Sequence, residues 1–467
     1  MERASAVCAK DVANVENAFP LYPPSPAAAL RLQYGAGAVG DGAPLQTKTR
    51  RVNSVEDLVG AAGDNQALQI VLTTDLSEVP PIGLLPGQAL RSNSGEPRTL
   101  IFREHVDGVR LSSDNRIEGV DIVTSPDKRA IWNDYSVGSL GEISLRSVRA
   151  TGRVQILAKE NIRAGRVEVD GLEIPSADAR REEERPQAYG VRVLQGAFTL
   201  WNMQADEDVV LSANLANISV GRLGTPVFGS GVFVSGAGDK GGRVNVELLE
   251  TGAVYVDGKI PPGTPDEISG GVFTVYGAHV DLVRNSGPVV TYGANDMALD
   301  NWGVVDRWIA QGKVSTFGPS GIGFVNFGSI RDLRVEAPIE TFGKGARGFN
   351  VYSGTVERAE FDRIVTHADG AVGVQISQPI RSLIVRRGIE TFGSEGPSLV
   401  KGVVQTLSAI AFSIKPGGSA RTVRIEGGLK THGKGIPPLE QQGVVDELVI
   451  SGGFGDGKDA AAGRAET

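Results

Sequence analysis

The sequence is poor in the residues that build several common kinds of site. Among 467 residues there is one cysteine, Cys8, and there are four scattered histidines. A single cysteine excludes an internal disulfide framework and a thiolate metal cluster within the chain. No two histidines have the H-x-x-x-H spacing that places a zinc site on a helix. We therefore predict no metal site and no cofactor.

Long apolar runs and positive net charge are also lacking. No stretch approaches the roughly 18 consecutive apolar residues of a membrane-spanning helix, and the first residues lack the apolar segment of a signal peptide. The net charge of −8 disfavours a nucleic-acid partner. We expect neither a nucleic-acid nor a membrane partner, and we predict a cytoplasmic protein, or a secreted one if a signal peptide has been removed.

Glycine, in contrast, is abundant, with 62 residues, as a fold with frequent turns requires. A three-residue motif of threonine, an aromatic residue and usually glycine recurs every 25 residues. Its threonines are Thr291, Thr316, Thr341, Thr366 and Thr391. A fixed period in the twenties is typical of a solenoid. Apolar residues alternate with others around each threonine, which indicates strands rather than helices.

We predict an all-β, right-handed parallel β-helix of roughly 15 coils with about 25 residues per coil. The expected organisation is an N-terminal extension over 1–53, the β-helix over 54–452 and a disordered tail over 453–467. Ser54 is the expected N-cap of a short helix that covers the first coil. The charged segment 176–186 must leave the coil, and we expect a solvated loop there.

Three sequence motifs follow the expected capping helix in this order: LLPGQAL at 84–90, IFR at 101–103 and DNRIEGVDI at 114–122. Together they resemble the pectate-lyase-like β-helix superfamily, over about residues 54–455. The resemblance concerns the fold and implies a possible homotrimer. The catalytic signatures of pectate lyases and polygalacturonases are absent, so no catalytic residue is carried over from those families.

Equivalent residues of successive coils form columns, and one column combines rings with polar neighbours. Its rings are Tyr276, Trp302, Phe327 and Tyr352, and its polar neighbours include Asp300, Asn350 and Gln375. We predict that this strip faces outward, where flat rings and polar groups would suit sugar rings. In that case Trp302→Ala would weaken oligosaccharide binding at little cost in stability. The alternative is that a loop or the N-terminal extension covers the strip.

Three carboxylates of the regular coils are candidates for acid–base chemistry. Asp300 lies beside Trp302, where partial burial would raise its pKa. Glu340 and Glu390 share a column two coils apart, about 9–10 Å. That separation is near the upper end of the roughly 6.5–9.5 Å of inverting glycosidases.

The less regular coils contribute a fourth candidate, Asp134, which follows Trp132 and an asparagine. Trp201 precedes an asparagine in the same way. Trp132, Trp201 and Arg307 complete the predicted substrate contacts.

We predict a carbohydrate-active enzyme, a glycoside hydrolase or glycosyl-transferring enzyme that acts on a neutral oligo- or polysaccharide through paired carboxylates. A polysaccharide lyase is less favoured, because it needs a base and a cation that neutralises a uronate. The alternative is a non-catalytic β-helix, such as an adhesin or a tailspike-like stalk. The regularity of residues 289–393 favours that alternative, since catalytic sites usually break local rules.

Overall fold

The computed structural model describes residues 48–456, apart from 67, 94, 262–263 and 401. This part of the chain contains one helix, α1 (Val55–Ala62), and the strands β1 to β43. None of the described residues forms a helix that is both long and apolar enough to span a bilayer. Most of the predicted extension (1–47) and tail (457–467) lies outside the described residues.

Parallel strands stack in three ladders, which we call faces 1, 2 and 3. Face 1 consists of β4 (Ile82–Gly83), β7 (Val109–Leu111), β10 (Arg129–Asn133), β12 (Arg153–Ala158), β16 (Gly196–Asn202), β19 (Ser230–Ser235), β21 (Glu267–Thr274), β24 (Asp296–Asn301), β27 (Ile322–Asn326), β30 (Arg347–Val351), β33 (Val372–Ile376), β38 (Phe412–Ile414) and β41 (Leu439–Gln441).

Face 2 is the longest ladder. It consists of β1 (Thr49–Val52), β2 (Gln69–Leu72), β5 (Ala89–Ser92), β8 (Arg116–Glu118), β11 (Glu142–Thr151), β13 (Ala164–Ser176), β17 (Val210–Val220), β20 (Arg243–Asp257), β22 (Ala278–Asn285), β25 (Val304–Ala310), β28 (Ser329–Val335), β31 (Thr355–Phe361), β34 (Pro379–Val385), β39 (Ser419–Ile425) and β42 (Val444–Ile450).

Face 3 includes the C-terminal parts of the long strands β11, β13, β17 and β20, which bend from one face into the next. Its other strands are β3 (Leu76–Val79), β6 (Arg98–Phe102), β9 (Val120–Val123), β18 (Val227–Phe228), β23 (Val289–Thr291), β26 (Val314–Thr316), β29 (Ile339–Thr341), β32 (Ile364–Thr366), β35 (Ile389–Thr391), β40 (Leu429–Thr431) and β43 (Phe454–Asp456).

Four strands lie outside these ladders: β14 (Gln187–Ala188), β15 (Val191–Val193), and the hairpin of β36 (Glu395–Val400) and β37 (Val403–Ser408).

The parallel β-helix is thus confirmed. Fifteen strands follow one another along face 2 in the described residues, which matches the predicted number of coils. The stacked strands start at Thr49 and end at Asp456, a few residues beyond both predicted boundaries. The 25-residue register is also confirmed, because Thr291, Thr316 and Thr341 pair directly in successive strands.

The core is filled by columns of like residues. The β-branched and threonine columns of face 3 are buried along the regular coils. Some polar members of the core bond within it: Thr366 Oγ1 donates to the Ala371 carbonyl at 2.7 Å, and Asn301 Nδ2 donates to Asn326 Oδ1 at 2.8 Å. The hydroxyls of Thr291, Thr316 and Thr341, in contrast, have no hydrogen-bond partner among the described residues. Buried polar groups need such partners, because an unpaired one costs about 1–3 kcal/mol.

The N-terminal end of the core is covered by α1, as predicted. Ser54 Oγ accepts a hydrogen bond from the Asp57 amide at 3.1 Å, which identifies Ser54 as the N-cap. The buried side of the helix consists of Leu58, Ala61 and Ala62. The helix therefore shields the apolar residues of the first coil from water.

A column of rings marks the corner after face 3. It runs Tyr292, Phe317, Phe342, His367, Phe392 and His432, with centroid separations between 4.3 and 5.4 Å and nearly parallel planes. Glycine follows five of the six rings and lets consecutive backbones approach closely, whereas Ala368 follows His367. A Cβ on Gly343 would lie 1.8 Å from the Gly318 carbonyl oxygen.

Gly343→Ala should therefore lower the free energy of unfolding by more than about 2 kcal/mol, because the added methyl must displace backbone. The matched control is Gly138→Ala, where a Cβ meets nothing within 4 Å and the change should stay within about 0.5 kcal/mol. Urea unfolding followed by circular dichroism measures both. Equal midpoints for the two variants would contradict the close packing at the corner.

Candidate functional site

The predicted aromatic strip lies on the outside of face 1, but it does not face solvent. Its rings belong to a second apolar cluster, separate from the main core, so they point away from that core as predicted. Trp302, Phe327 and Tyr352 are only 4%, 9% and 5% exposed, and Tyr276 is half-buried. The prediction of an exposed strip is therefore wrong, and the alternative, a covering loop, is correct.

Two segments form the cover. The segment with β14 and β15 places Tyr189 over the rings, stacked on Phe327 at 4.5 Å and edge-on to Trp302 at 5.2 Å between centroids. The strand β15 pairs in parallel with β21, which anchors this segment to face 1. The second cover is the hairpin β36–β37, where Arg347 Nη2 donates to Ser398 Oγ at 2.8 Å.

The polar members of the strip are buried with the rings. Asp300 and Asn350 have no exposed surface, and Gln375 is 5% exposed. Burial raises the pKa of Asp300 well above its usual range, and the Trp302 indole N–H opposes that rise. In the described part of the chain, Asp300 accepts no hydrogen bond of normal geometry. Its carboxyl group is thus not presented to a polysaccharide at the surface.

The other predicted contacts are dispersed. Trp201 is 7% exposed, and its Nε1 donates to the Gly236 carbonyl at 2.9 Å, so it is a buried structural residue. Arg307 is exposed on face 2, away from the strip. Trp132 is half-buried on face 1, with the Arg129 guanidinium 4.0 Å from its ring.

Asp134 lies at the end of β10, five strands along face 1 from Asp300. It accepts hydrogen bonds from the Ser136 amide and hydroxyl, which lower its pKa. An ionised carboxylate held in this way is unsuited to be a general acid.

Glu340 and Glu390 lie on face 3 beside the ring column, so they do not adjoin Asp300. Each is partly buried, which alone would raise its pKa, but cationic and imidazole partners lower it. Glu340 contacts Lys313 and lies 2.9 Å from His367 Nε2. Glu390 contacts Arg363 and His432 in the same way. The four predicted catalytic carboxylates therefore do not form one site.

Two adjoining hollows on the outside of face 3 offer an open site that the sequence did not reveal. The first, of about 580 Å³, is bordered by Asp121, Glu173 and Tyr255. The second, of about 960 Å³, is bordered by Asp257 and Tyr292. The loop 221–226 separates them, since its first half lines one hollow and its second half lines the other. Volumes of this size accommodate sugar-sized ligands.

The first hollow contains two carboxylates in different environments. Asp121, Arg149 and Glu173 occupy equivalent positions in consecutive strands, so the carboxylates are about 9–10 Å apart. Burial raises the pKa of Asp121. Burial would raise that of Glu173 too, but hydrogen bonds from Arg222 at 2.7 Å and Arg149 at 2.9 Å lower it. Such divergence is typical of an acid and a base in one site.

The second hollow lies where the ring column begins. Asp178 forms an isolated bridge with Phe228, which in turn pairs with Asp257. Tyr292 directly follows β23, whose Thr291 pairs with Val256 of the preceding coil. Lys259 Nζ lies 2.7 Å from Asp257 Oδ2. The hollow thus alternates carboxylates with ring surfaces, which are the groups that bind the hydroxyls and C–H faces of sugars.

Beneath this hollow lies Asp296, which is fully buried. Burial raises its pKa to about 7, against the hydrogen bonds that it accepts from Ser269 Oγ at 2.5 Å and the Gly293 amide at 2.7 Å. Because Asp296 has no exposed surface, we assign it to the support of the hollow. Within the described residues, no group of three or more potential ligands is placed to hold a metal ion.

A scan against protein-family models finds no family that matches the chain, and searches of curated proteins and of solved structures find no significant match. The interpretation of the hollows therefore depends on their geometry and chemistry.

Trp302→Ala should lower the free energy of unfolding by about 3–5 kcal/mol, the range for a buried tryptophan. This reverses the expectation for an exposed ring. The comparison variant is Phe317→Ala. The Phe317 ring is 46% exposed, so its removal should lower the free energy of unfolding by about 1 kcal/mol. Urea unfolding of both variants is the measurement. A Trp302→Ala protein as stable as the parent would contradict the burial of the strip.

Proposed function

We propose that the protein binds an oligo- or polysaccharide across the two hollows of face 3 and hydrolyses it. The observation that carries this proposal is the pair Asp121 and Glu173, whose environments shift their pKa values in opposite directions within one open hollow. The rings of Tyr255 and Tyr292 border the hollows and supply surfaces for sugar rings.

In this proposal Asp121 is the general acid that protonates the leaving glycosidic oxygen, because its raised pKa keeps it protonated to higher pH. Glu173 is the base that activates water on the opposite side of the sugar. A separation of about 9–10 Å is near the upper limit for an inverting mechanism, in which water must fit between base and sugar. We therefore expect inversion at the anomeric carbon.

A second candidate function is binding without cleavage. Both oxygens of Glu173 already accept hydrogen bonds, Oε1 from Arg222 and Oε2 from Arg149, and this pairing lowers its basicity. A glycan held in the hollows by a protein with such a weak base would remain intact. The protein would then be a β-helical adhesin or a tailspike-like stalk.

The stacked coils support a place for this chain in the pectate-lyase-like superfamily at the level of the fold, and we propose that placement. The homotrimer that this resemblance implies remains a prediction.

The test is a glycan array with the purified protein, followed by assay of reducing-sugar release from each bound glycan. Tyr255→Ala should weaken binding at least about tenfold, because it removes a ring surface. Asp121→Asn and Glu173→Gln should lower release at least about 100-fold, the contribution of a general acid or base. Activity should be bell-shaped in pH, falling as Glu173 is protonated and as Asp121 ionises.

The matched control is Glu340→Gln, a carboxylate of face 3 that borders neither hollow, and it should leave binding and release unchanged. Binding without release by the parent would support the second candidate. Release of an unsaturated product, detected by its absorbance, would indicate a lyase. An array without any bound glycan would refute carbohydrate binding altogether.

A further inference from the structure

The two ends of the stacked coils differ in how their cores are covered. At the N-terminal end, α1 lies over the first coil. At the C-terminal end, the last coil consists of β41, β42 and β43. Its inward side chains pack against the main core but are only partly buried: Leu439, Val445, Leu448 and Ile450. Phe454, at the start of β43, is 56% exposed. Within the described residues, the last coil therefore presents an apolar surface at the end of the molecule.

Both ends also carry strands with a free edge. Among the described residues, β42 pairs only with β39, and β1 pairs only with β2. A free edge presents backbone N–H and C=O groups that can pair with a strand of another chain. The strands β1 and β42 both belong to face 2, whose strands all pair in parallel. A second copy of β1 placed beyond β42 would therefore continue face 2 in the same direction.

The two free edges carry opposite charges. Arg50 and Arg51 of β1 are exposed. Asp446 and Glu447 of β42 are exposed as well. None of these four side chains forms an ion pair with another described residue. On the outer side of α1, Val59 is 45% exposed, so the N-terminal end also offers an apolar side chain. The two ends are thus complementary in charge, in backbone pairing and in apolar surface.

We propose that copies of this chain associate end to end, with β1 and α1 of one copy bound to the last coil of the next. In this arrangement β1 continues face 2 from β42, and the two arginines of β1 lie opposite the two acidic residues of β42. The outer side of α1 covers the apolar end. Because the two contacting surfaces differ, each added copy leaves one free end of each kind, and a row of copies can grow. Neither hollow includes a residue of β1, α1 or the last coil, so this association does not depend on the proposed function.

The first measurement is sedimentation velocity of the full chain at low ionic strength, over a range of protein concentrations. The parent should sediment faster as its concentration rises, and it should form species larger than a dimer, because each added copy offers a new free end. Added salt should weaken the association, since it screens exposed charges.

Two charge-reversal variants test the contact itself. The first carries Arg50→Glu and Arg51→Glu. The second carries Asp446→Lys and Glu447→Lys, so each variant has like charges on its two ends. Each variant alone should associate at least about tenfold more weakly than the parent. An equal mixture of the two should recover the association, because every junction between different variants again joins opposite charges.

The matched control combines Arg116→Glu with Arg307→Glu, which reverse two exposed arginines on interior strands of face 2, and it should associate like the parent. Circular dichroism checks that every variant is folded. The proposal fails if the parent stays monomeric at every concentration, which would mean that the last coil is covered within its own chain. It also fails if the mixture associates no better than the separate variants, or if the control loses association too. Association that persists in both charge variants would place the contact on another surface and overturn the proposal.

Discussion

The structure depends on one constraint: the backbone donors and acceptors of each coil have their partners in the coils before and after it. A coil that breaks register leaves a row of buried groups unpaired, and each costs about 1–3 kcal/mol. The columns of like side chains follow from this constraint. Thr291, Thr316 and Thr341 repeat because they occupy the same place in successive parallel strands. Glycine recurs after five of the six rings because a Cβ at those positions would overlap the preceding backbone, and Ala368 is the exception.

The same constraint explains which features could be predicted from the sequence. The coils between Thr291 and Thr391 have equal length, so equivalent positions can be aligned directly in the sequence, and the fold was predicted correctly. The segment that covers the aromatic strip was not predictable from the sequence. Its Tyr189 contacts Phe327 across 138 residues, and the segment has no counterpart in the 25-residue repeat. A solvated loop was expected just before it.

The hollows on face 3 were missed for a related reason. Asp121, Arg149 and Glu173 are in register, but their coils have unequal lengths, so no fixed spacing in the sequence aligns them. Glu340 and Glu390 were correctly assigned to one column. Their ion-pair partners Lys313 and Arg363 lie in the preceding coils and do not belong to that column. The regular half of the chain thus reveals its architecture, whereas the irregular half contains the open site.

The hairpin β36–β37 shows how this architecture can acquire new parts. Thr391 and Thr431 pair directly although the hairpin lies between them in the sequence. The coil therefore keeps its register although a hairpin is inserted at its corner. Natural variation should therefore concentrate at such corners, where a segment of any length can be gained or lost without changing the cross-section. For protein engineering, a corner of this kind is a place to graft a foreign peptide, as long as the contacts that hold the hairpin on face 1, such as Arg347 with Ser398, are kept.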